Sequence, residues 1–242
     1  MEIKTDELLK NAVHFGHRTY KWNPKMKPFI AGAAKGIHIF DVALIKQHLE
    51  NALNFITKAS QEGKQFMLIG TKFQVSNMMA QMGKDLSIPY MNHKWIAGTL
   101  TNFDTIKKRI KYLKELEEME NTGEIEKYTK KEQSKLKKEK EDLLYSLGGI
   151  KNMDRLPDVV IIVDVYKEHI ATKEAQKLGM NIVALVDTNG DPDGITYPIP
   201  CNDDAMKSLT YILTKIKEAY SLGRHVAPQR SVTTEPENTS AS

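Results

Sequence analysis

Apolar residues follow two rhythms along this chain. Three short runs are continuously apolar and rich in β-branched residues: QFMLIG at 65–70, DVVIIVD at 158–164 and NIVALVD at 181–187. Each ends on Gly or Asp, where a chain leaves a strand for a loop. Continuity rather than alternation means that both faces of such strands are covered. Elsewhere the spacing is three and four. Over 42–61, Ile45, Leu49, Leu53 and Ile56 share one face, and a second helical stretch at 167–178 stops before Gly179. Buried strands alternating with helices predict a three-layer α/β domain, a parallel sheet with helices on both faces.

Weaker signals complete the domain. ITYPIP at 195–200 reads as an edge strand, because its prolines forbid a central place. A last helix follows, capped by Asn202 or Asp203 and running to about Gly223. PFIAG at 28–32 and IHIF at 37–40 predict a hairpin around residues 33–36. Residues 104–142 depart from this pattern, with twelve basic and eleven acidic residues and Ile106, Ile110, Leu113, Leu116 and Met119 spaced by three and four. NTGE at 121–124 splits them into two arms, the second poorer in apolar positions, with Tyr128 and Leu136 widely spaced. They predict an inserted coiled-coil hairpin. The α/β domain then comprises 1–103 and 143–224, and residues 225–242 have the composition of a disordered tail.

At 242 residues and 40% hydrophobic composition, the chain can bury one core plus a smaller appended element. No apolar run approaches the ~20 residues of a transmembrane helix, and the first residues, MEIKTDELLKNAVHFGH, do not read as a signal peptide. The single Cys201 excludes an internal disulfide and a cysteine-rich zinc site. The expectation is a soluble, cytosolic protein. Its net charge of +4 is unevenly spread: residues 11–40 hold five Lys/Arg and no carboxylate, 157–205 hold nine acids against three lysines, and 206–230 return to five basic residues against one acid. A basic stripe of this kind suits a phosphate backbone and makes binding salt-dependent.

Catalytic and metal chemistry find little support. LIGTKFQ at 68–74 has neither the glycines of a dinucleotide loop nor the GK[ST] ending of a P-loop. DTNGDPDG at 187–194 resembles a calcium loop, but one register puts Pro192 at the turn glycine and the other puts Pro200 at the bidentate acid. A loosely bound Mg²⁺ or another divalent ion among Asp187, Asp191, Asp193, Asp203 and Asp204 is the remaining cation reading, with His17 as a further ligand candidate. His14 and His17 are otherwise read as hydrogen-bonding or RNA-facing. Cys201 has acids and no histidine beside it, which argues against a nucleophile. Asp203 and Asp204 are read as cap and dipole residues at a helix start. The alternative to a binding protein is an α/β enzyme or ligand-binding domain using the acidic strand ends, where ligands of open parallel sheets bind.

Two stretches remain, HRTYKWNPKMKPF at 17–29 and YMNHKWIAGTLTNF at 90–103. Both interleave cations with Trp, Tyr, Asn and Thr, able to stack on bases and to bond phosphates and 2′-hydroxyls. Trp22 and Trp95 themselves are read as core anchors. The RNA-contact candidates are Arg18, Lys21, Asn23, Lys25, Lys27, Lys94, Thr101 and Asn102, with Lys107, Lys108, Arg109 and Lys111 at the hairpin base as a second patch.

With these stretches, LLKNAVHFGHRTYKWNPKMKPFIAGAAKGIHIFD, IGTKFQ, SLGGIKNMDRLPDVVIIVD and KEHIATKEAQKLGMNIVALVDTNGDPDGITYPIPCNDDA, in that order along residues 8–224, the sequence closely resembles the bacterial-type small-subunit ribosomal protein S-two family. The resemblance implies a flavodoxin-like sheet with a coiled-coil hairpin insertion. It implies a structural, non-catalytic role on the solvent side of the small subunit near the mRNA exit, in a cytoplasmic or organellar ribosome. It further implies binding to 16S-type ribosomal RNA and to neighbouring ribosomal proteins, including the large mRNA-binding protein numbered one, with no cofactor, membrane or small-molecule substrate. Phe73 stands where the family usually has Lys or Arg. Val165 and Tyr166, Ala97, Gly190 and Cys201 are further departures.

Overall fold

The computed structural model describes residues 2–226. A short helix α1 (Thr5–Lys10) leads into three strands, β1 (Phe15–Arg18), β2 (Ile30–Ala34) and β3 (Ile37–Phe40), which form an antiparallel sheet in the order β1-β3-β2. The predicted hairpin is β2–β3. Its two loop residues, Lys35 and Gly36, both have positive φ, 50° and 77°, as a two-residue hairpin turn with the strands' own twist requires. Between β1 and β2 a 3-10 turn (Pro24–Phe29) starts at Asn23, whose side chain accepts the Lys25 N–H.

Helix α2 (Val42–Gln61) coincides with the predicted stretch and buries Ile45, Leu49, Leu53 and Ile56 as read; the Asp41 carboxylate caps it by accepting from Ala43 and Leu44. The main sheet then forms from β4 (Phe66–Ile69), β5 (Tyr90–Met91), β6 (Val159–Val163), β7 (Asn181–Val186) and β8 (Tyr197–Pro200), all parallel, in the order β5-β4-β6-β7-β8. Every residue of β4 and β6 is buried, so both faces are covered. β8 is the edge strand that its prolines predict. Cys201 donates to the Val186 carbonyl, so positions 198 and 200 turn away from β7, and as prolines they offer the outside no N–H. The Pro198 carbonyl is covered by His48 Nδ1 at 3.0 Å.

Three helices connect or flank these strands. α3 (Phe73–Leu86) buries Val75, Met79 and Met82, and α6 (His169–Lys177) joins β6 to β7. α7 (Met206–Val226) lies along α2. Thr57 and Ser60 hydroxyls donate to the Ala219 and Tyr220 carbonyls at 3.2 and 2.8 Å, and a Cβ at Gly223 would stand 2.3 Å from the Thr57 carbonyl oxygen. Only glycine allows that approach. The Asn202 side chain, of the two predicted caps, accepts from Asp204 and Ala205 ahead of α7.

Between β5 and β6 the chain makes α4 (Phe103–Asn121) and α5 (Lys130–Leu147). α4 ends where NTGE predicts a break. It buries Phe103, Ile106, Ile110, Leu113 and Leu116, the first four within the domain's main core. The pair is therefore rooted in the domain. α5 buries only Leu147, whereas a coiled-coil seam needs apolar rows on both helices. His225 and Val226, assigned to the tail from sequence, belong to α7; the remainder of the expected tail lies outside the described residues.

Candidate nucleic-acid interface

The loop leaving β5, residues 92–102, is shaped by one carboxylate. Glu174 sits on the buried side of α6 and accepts on one oxygen from the Trp95 indole (3.0 Å) and the Gly98 N–H (2.8 Å). On the other it accepts from the N–H groups of Leu100 and Thr101 (both 3.0 Å) and the Thr101 hydroxyl (3.1 Å). Burial opposes ionisation, but the Thr101, Trp95, Gly98 and Leu100 donors outweigh it and hold the Glu174 carboxyl below the usual range. Trp95 is thereby anchored against the core, as predicted. Lys94 and Asn102 remain exposed, and Asn102 accepts from the Thr105 hydroxyl. Thr101 spends both its donors on Glu174.

The carboxylate-free N-terminal stretch is presented differently from its prediction. Trp22 is 37% exposed, and its ring lies 5.2 Å from that of His38; it is not a core anchor. It packs on the small antiparallel sheet rather than beneath it, and the stretch is anchored instead by Val13 and Met26, both fully buried. Phe15 and Tyr20 are also exposed, so aromatic faces and the cations Arg18, Lys21 and Lys27 share this surface. Among the described residues, none of these three cations has an acidic partner within ion-pair distance. Lys25 does. Its ammonium lies 2.8 Å from Asp191 and 2.7 Å from Asp193, and these hydrogen bonds raise its pKa. Asn23 serves as the turn cap described above.

The carboxyl ends of β4, β6, β7 and β8 converge on a charge cluster that sequence reading did not assemble. Lys72, just after β4, reaches Asp164 (3.1 Å), Asp203 (2.7 Å) and Asp204 (2.5 Å). His17 from β1 joins it, with Nδ1 3.0 Å from Asp187 and Nε2 3.3 Å from Asp204. The His17 pKa is raised, chiefly by the hydrogen bond to Asp187 and against the effect of burial. Burial and the neighbouring Asp187 and Asp164 push Asp203 up, to about 8, while Lys72 works the other way. Burial likewise disfavours the Lys72 ammonium, but Asp203, Asp204 and Asp164 prevail and its pKa is raised. Beside it, the Thr71 hydroxyl and N–H donate to Glu168 at 2.5 and 2.8 Å.

This cluster is a tether. It fastens the N-terminal sheet to the parallel sheet, together with the His17 N–H donating to the Thr188 hydroxyl (2.9 Å). Asp203 and Asp204 thus hold Lys72 rather than cap α7. The five aspartates read as one possible ion site divide in two, Asp187, Asp203 and Asp204 around His17 and Lys72, and Asp191 and Asp193 around Lys25. Ligand atoms of His17, Asp187 and Asp203 do lie within 4.8 Å of one another, but the Lys72 ammonium already supplies a cation there.

An open groove of about 600 Å³ near the carboxyl ends of β6 and β7 is lined by Val165, Tyr166, His169, Lys173, Asn189 and Asp193. Cys201 is fully buried, and burial raises its pKa well above the ordinary thiol value. At the start of α4, Lys108 and Arg109 are exposed and without acidic partners among the described residues, while Lys107 lies 3.9 Å from Asp104 and over the Phe103 ring, and Lys111 lies 3.7 Å from Glu115. Phe73, at the position where the resemblance has a cation, is 93% exposed at the start of α3. The cationic groups do not merge into one patch. Arg18, Lys21 and Lys27 belong to the sheet tethered at the β7–β8 end of the strand order, and Lys94 with the α4 base belongs to the β5 end.

Comparison with known proteins places these observations. A model of the family described as Ribosomal protein S2 matches residues 8–223. Among curated proteins, the small ribosomal subunit protein uS2 of Nitratiruptor sp. is 47% identical over 227 residues, covering 94% of this chain and 85% of that one. The uS2 proteins of Rippkaea orientalis and Helicobacter pylori are 48% and 42% identical, over 92% and 95% of this chain and 83% and 87% of theirs.

Proposed function

The chain belongs to the ribosomal protein S2 family, and we propose that it is a structural constituent of the small ribosomal subunit that binds 16S-type ribosomal RNA. The observation that carries this reading is the carboxylate-free stretch 11–40, whose Arg18, Lys21 and Lys27 are exposed and unpaired among the described residues, in a chain matched to that family over 8–223. Exposed, unneutralised cations beside aromatic faces suit phosphates and unstacked bases. Lys94 and Asn102, held out by the loop latched to Glu174, and Lys108 and Arg109 at the start of α4 form the second contact, with Lys107 and Lys111 at its margin. Asn23 and Thr101 use their side chains to hold the loops of this surface, and Lys25 is engaged by Asp191 and Asp193.

The role is scaffolding rather than catalysis, in the ribosome of the cytoplasm, and no cofactor is assigned, since Lys72 and His17 provide the cations of the acidic strand ends. No helix among the described residues is long and apolar enough to cross a membrane. Neighbouring small-subunit proteins, including the large mRNA-binding protein numbered one, are the protein partners in this reading. The test is binding of the full chain to small subunits stripped of their own copy. Changing Arg18, Lys21 and Lys27 to Gln lowers the dependence of log K on log salt by about two to three. Lys25→Gln changes it by less than about one third of that. An unaltered slope in the triple variant contradicts the assignment.

A further inference from the structure

The middle strand of the N-terminal sheet holds a histidine that none of its neighbours satisfies. His38 stands on β3, opposite Ala33 on β2. On β1 the pairing slips between Phe15 and Arg18, so Gly16 and His17 lie across from it, and the His17 ring is turned to Asp187 and Asp204. Both His38 ring nitrogens are enclosed, and neither has a hydrogen-bonding partner among the described residues. An imidazole always carries at least one N–H, and enclosing it unpaired is unfavourable. A buried polar group left in this state calls for a physical reason.

The Trp22 ring lies against it, 5.2 Å away between centroids and tilted by 44°. The backbone is fastened on both sides of Trp22, with Lys21 donating to the Arg18 carbonyl at 2.8 Å and Asn23 to the Thr188 carbonyl at 2.7 Å. The side chain is held far less. Its ring is partly exposed, and the indole N–H has no partner among the described residues. Rotation about the Trp22 side-chain bonds therefore uncovers His38 without moving the sheet, and such rotations in exposed residues are fast.

A ligand for this pair needs a flat face to stack on the indole and an edge of donors and acceptors to satisfy the imidazole. The surroundings add a charge requirement, since Arg18 and Lys21, exposed and unpaired among the described residues, flank Trp22, and residues 11–40 hold no carboxylate. An unpaired nucleotide supplies all three: a base face, a base edge and a phosphate. A duplex does not, because its bases are stacked inside. A protein aromatic lacks the anion, and protein interfaces deplete lysine. We infer that Trp22 and His38 form a pocket for one unpaired RNA base. The indole covers His38 in the free protein and swings out to stack on the base when the base edge reaches the imidazole. The inference rests on the proposed RNA-binding role and deepens it, from phosphate contacts that ignore sequence to recognition of a single exposed base.

The experiment measures binding of full-length variants to small subunits stripped of their own copy, across a salt series, together with their melting temperatures. His38→Leu removes an enclosed unpaired group at similar volume, so it should keep or raise the melting temperature while weakening binding about tenfold. Trp22→Ala should weaken binding about tenfold through lost stacking, and Trp22→Phe should recover most of that loss. Neither His38→Leu nor Trp22→Ala removes a cation, so both keep the salt slope of the unchanged protein, whereas R18Q/K21Q/K27Q lowers it. Full affinity in either His38→Leu or Trp22→Ala, with a lowered slope in the triple variant, overturns the pocket and leaves the proposed function standing. Full affinity in both with an unaltered slope in the triple variant overturns both. A melting temperature that falls together with affinity in His38→Leu marks a structural role and overturns the pocket. In stripped subunits rebuilt with Trp22 replaced by p-benzoylphenylalanine, a photochemical cross-link to an unpaired nucleotide is expected. A cross-link to protein alone, or none, overturns the pocket.

Discussion

Replacing Glu174 by Gln removes one charge and almost no volume, and should nonetheless destabilise the protein by about 2–4 kcal/mol. The two oxygens of Glu174 accept five hydrogen bonds, two on one side and three on the other, and every partner is a donor. A Gln amide has one accepting oxygen. If that oxygen faces Trp95 and Gly98, its NH₂ points at the Leu100 and Thr101 N–H groups; if flipped, it opposes the indole. Either way two or three donors lose their acceptor, the buried Leu100 N–H among them in the first orientation and the Trp95 indole in the second, and each unsatisfied buried group costs about 1–3 kcal/mol. Water can reach the outer donors and reduces the sum. The carboxyl's lowered pKa adds a second signature. Its contribution is fully present above the ordinary glutamate pKa and is lost as pH falls through the lower folded value, so Gln should remove part of the acid-side loss below about pH 4.5. Urea unfolding followed by tryptophan fluorescence, at pH 7 and through pH 5 to 3, measures both. A loss under about 0.5 kcal/mol with the acid-side dependence intact would refute the latch.

Two further perturbations address the tether. Lys72→Met leaves Asp164 and Asp203, 8% and 1% exposed, without their shared cation, and should cost about 3–5 kcal/mol in urea unfolding at pH 8. That loss should shrink toward pH 5.5 as Asp203 takes up a proton; a constant penalty across this range contradicts the tether. His17 and Asp203 both have raised folded pKa values, Asp203 to about 8 from 3.8. Each therefore contributes stability that is present at low pH and lost as pH rises through the folded value. Thermal unfolding of the unchanged protein should show falling stability from about pH 6 to 8.5, flattened in His17→Gln; an equal slope in that variant contradicts the His17 pairing.

Which parts of this architecture could be read from the chain depended on the range of the interactions involved. The strands β4, β6 and β7 and the helix α2 were legible because burial on every face, or on one helical face, writes itself into consecutive residues. α3 was not, since its buried positions are Val75 and methionines scattered in a polar stretch. Nor was β1, whose FGHR has no alternation and pairs with a strand twenty residues on. The cationic surfaces were visible as composition. The groups that position them were not, because Glu174 bonds a loop more than seventy residues away and Lys72 bonds Asp203 across 131. Glu174 did leave a trace, a carboxylate among Ala171, Thr172 and Ala175 on the buried side of α6. Trp22 misled because a tryptophan's size suggests burial, whereas here it rests on the outside of a small sheet.

The central claim is membership of the small subunit through a salt-sensitive RNA contact. Sedimentation of the native protein from cell lysate through a sucrose gradient at millimolar Mg²⁺, first in low and then in high salt, tests it most directly. Migration with the small subunit, weakened at high salt, is the predicted result. Migration as a free protein at both salts would contradict it.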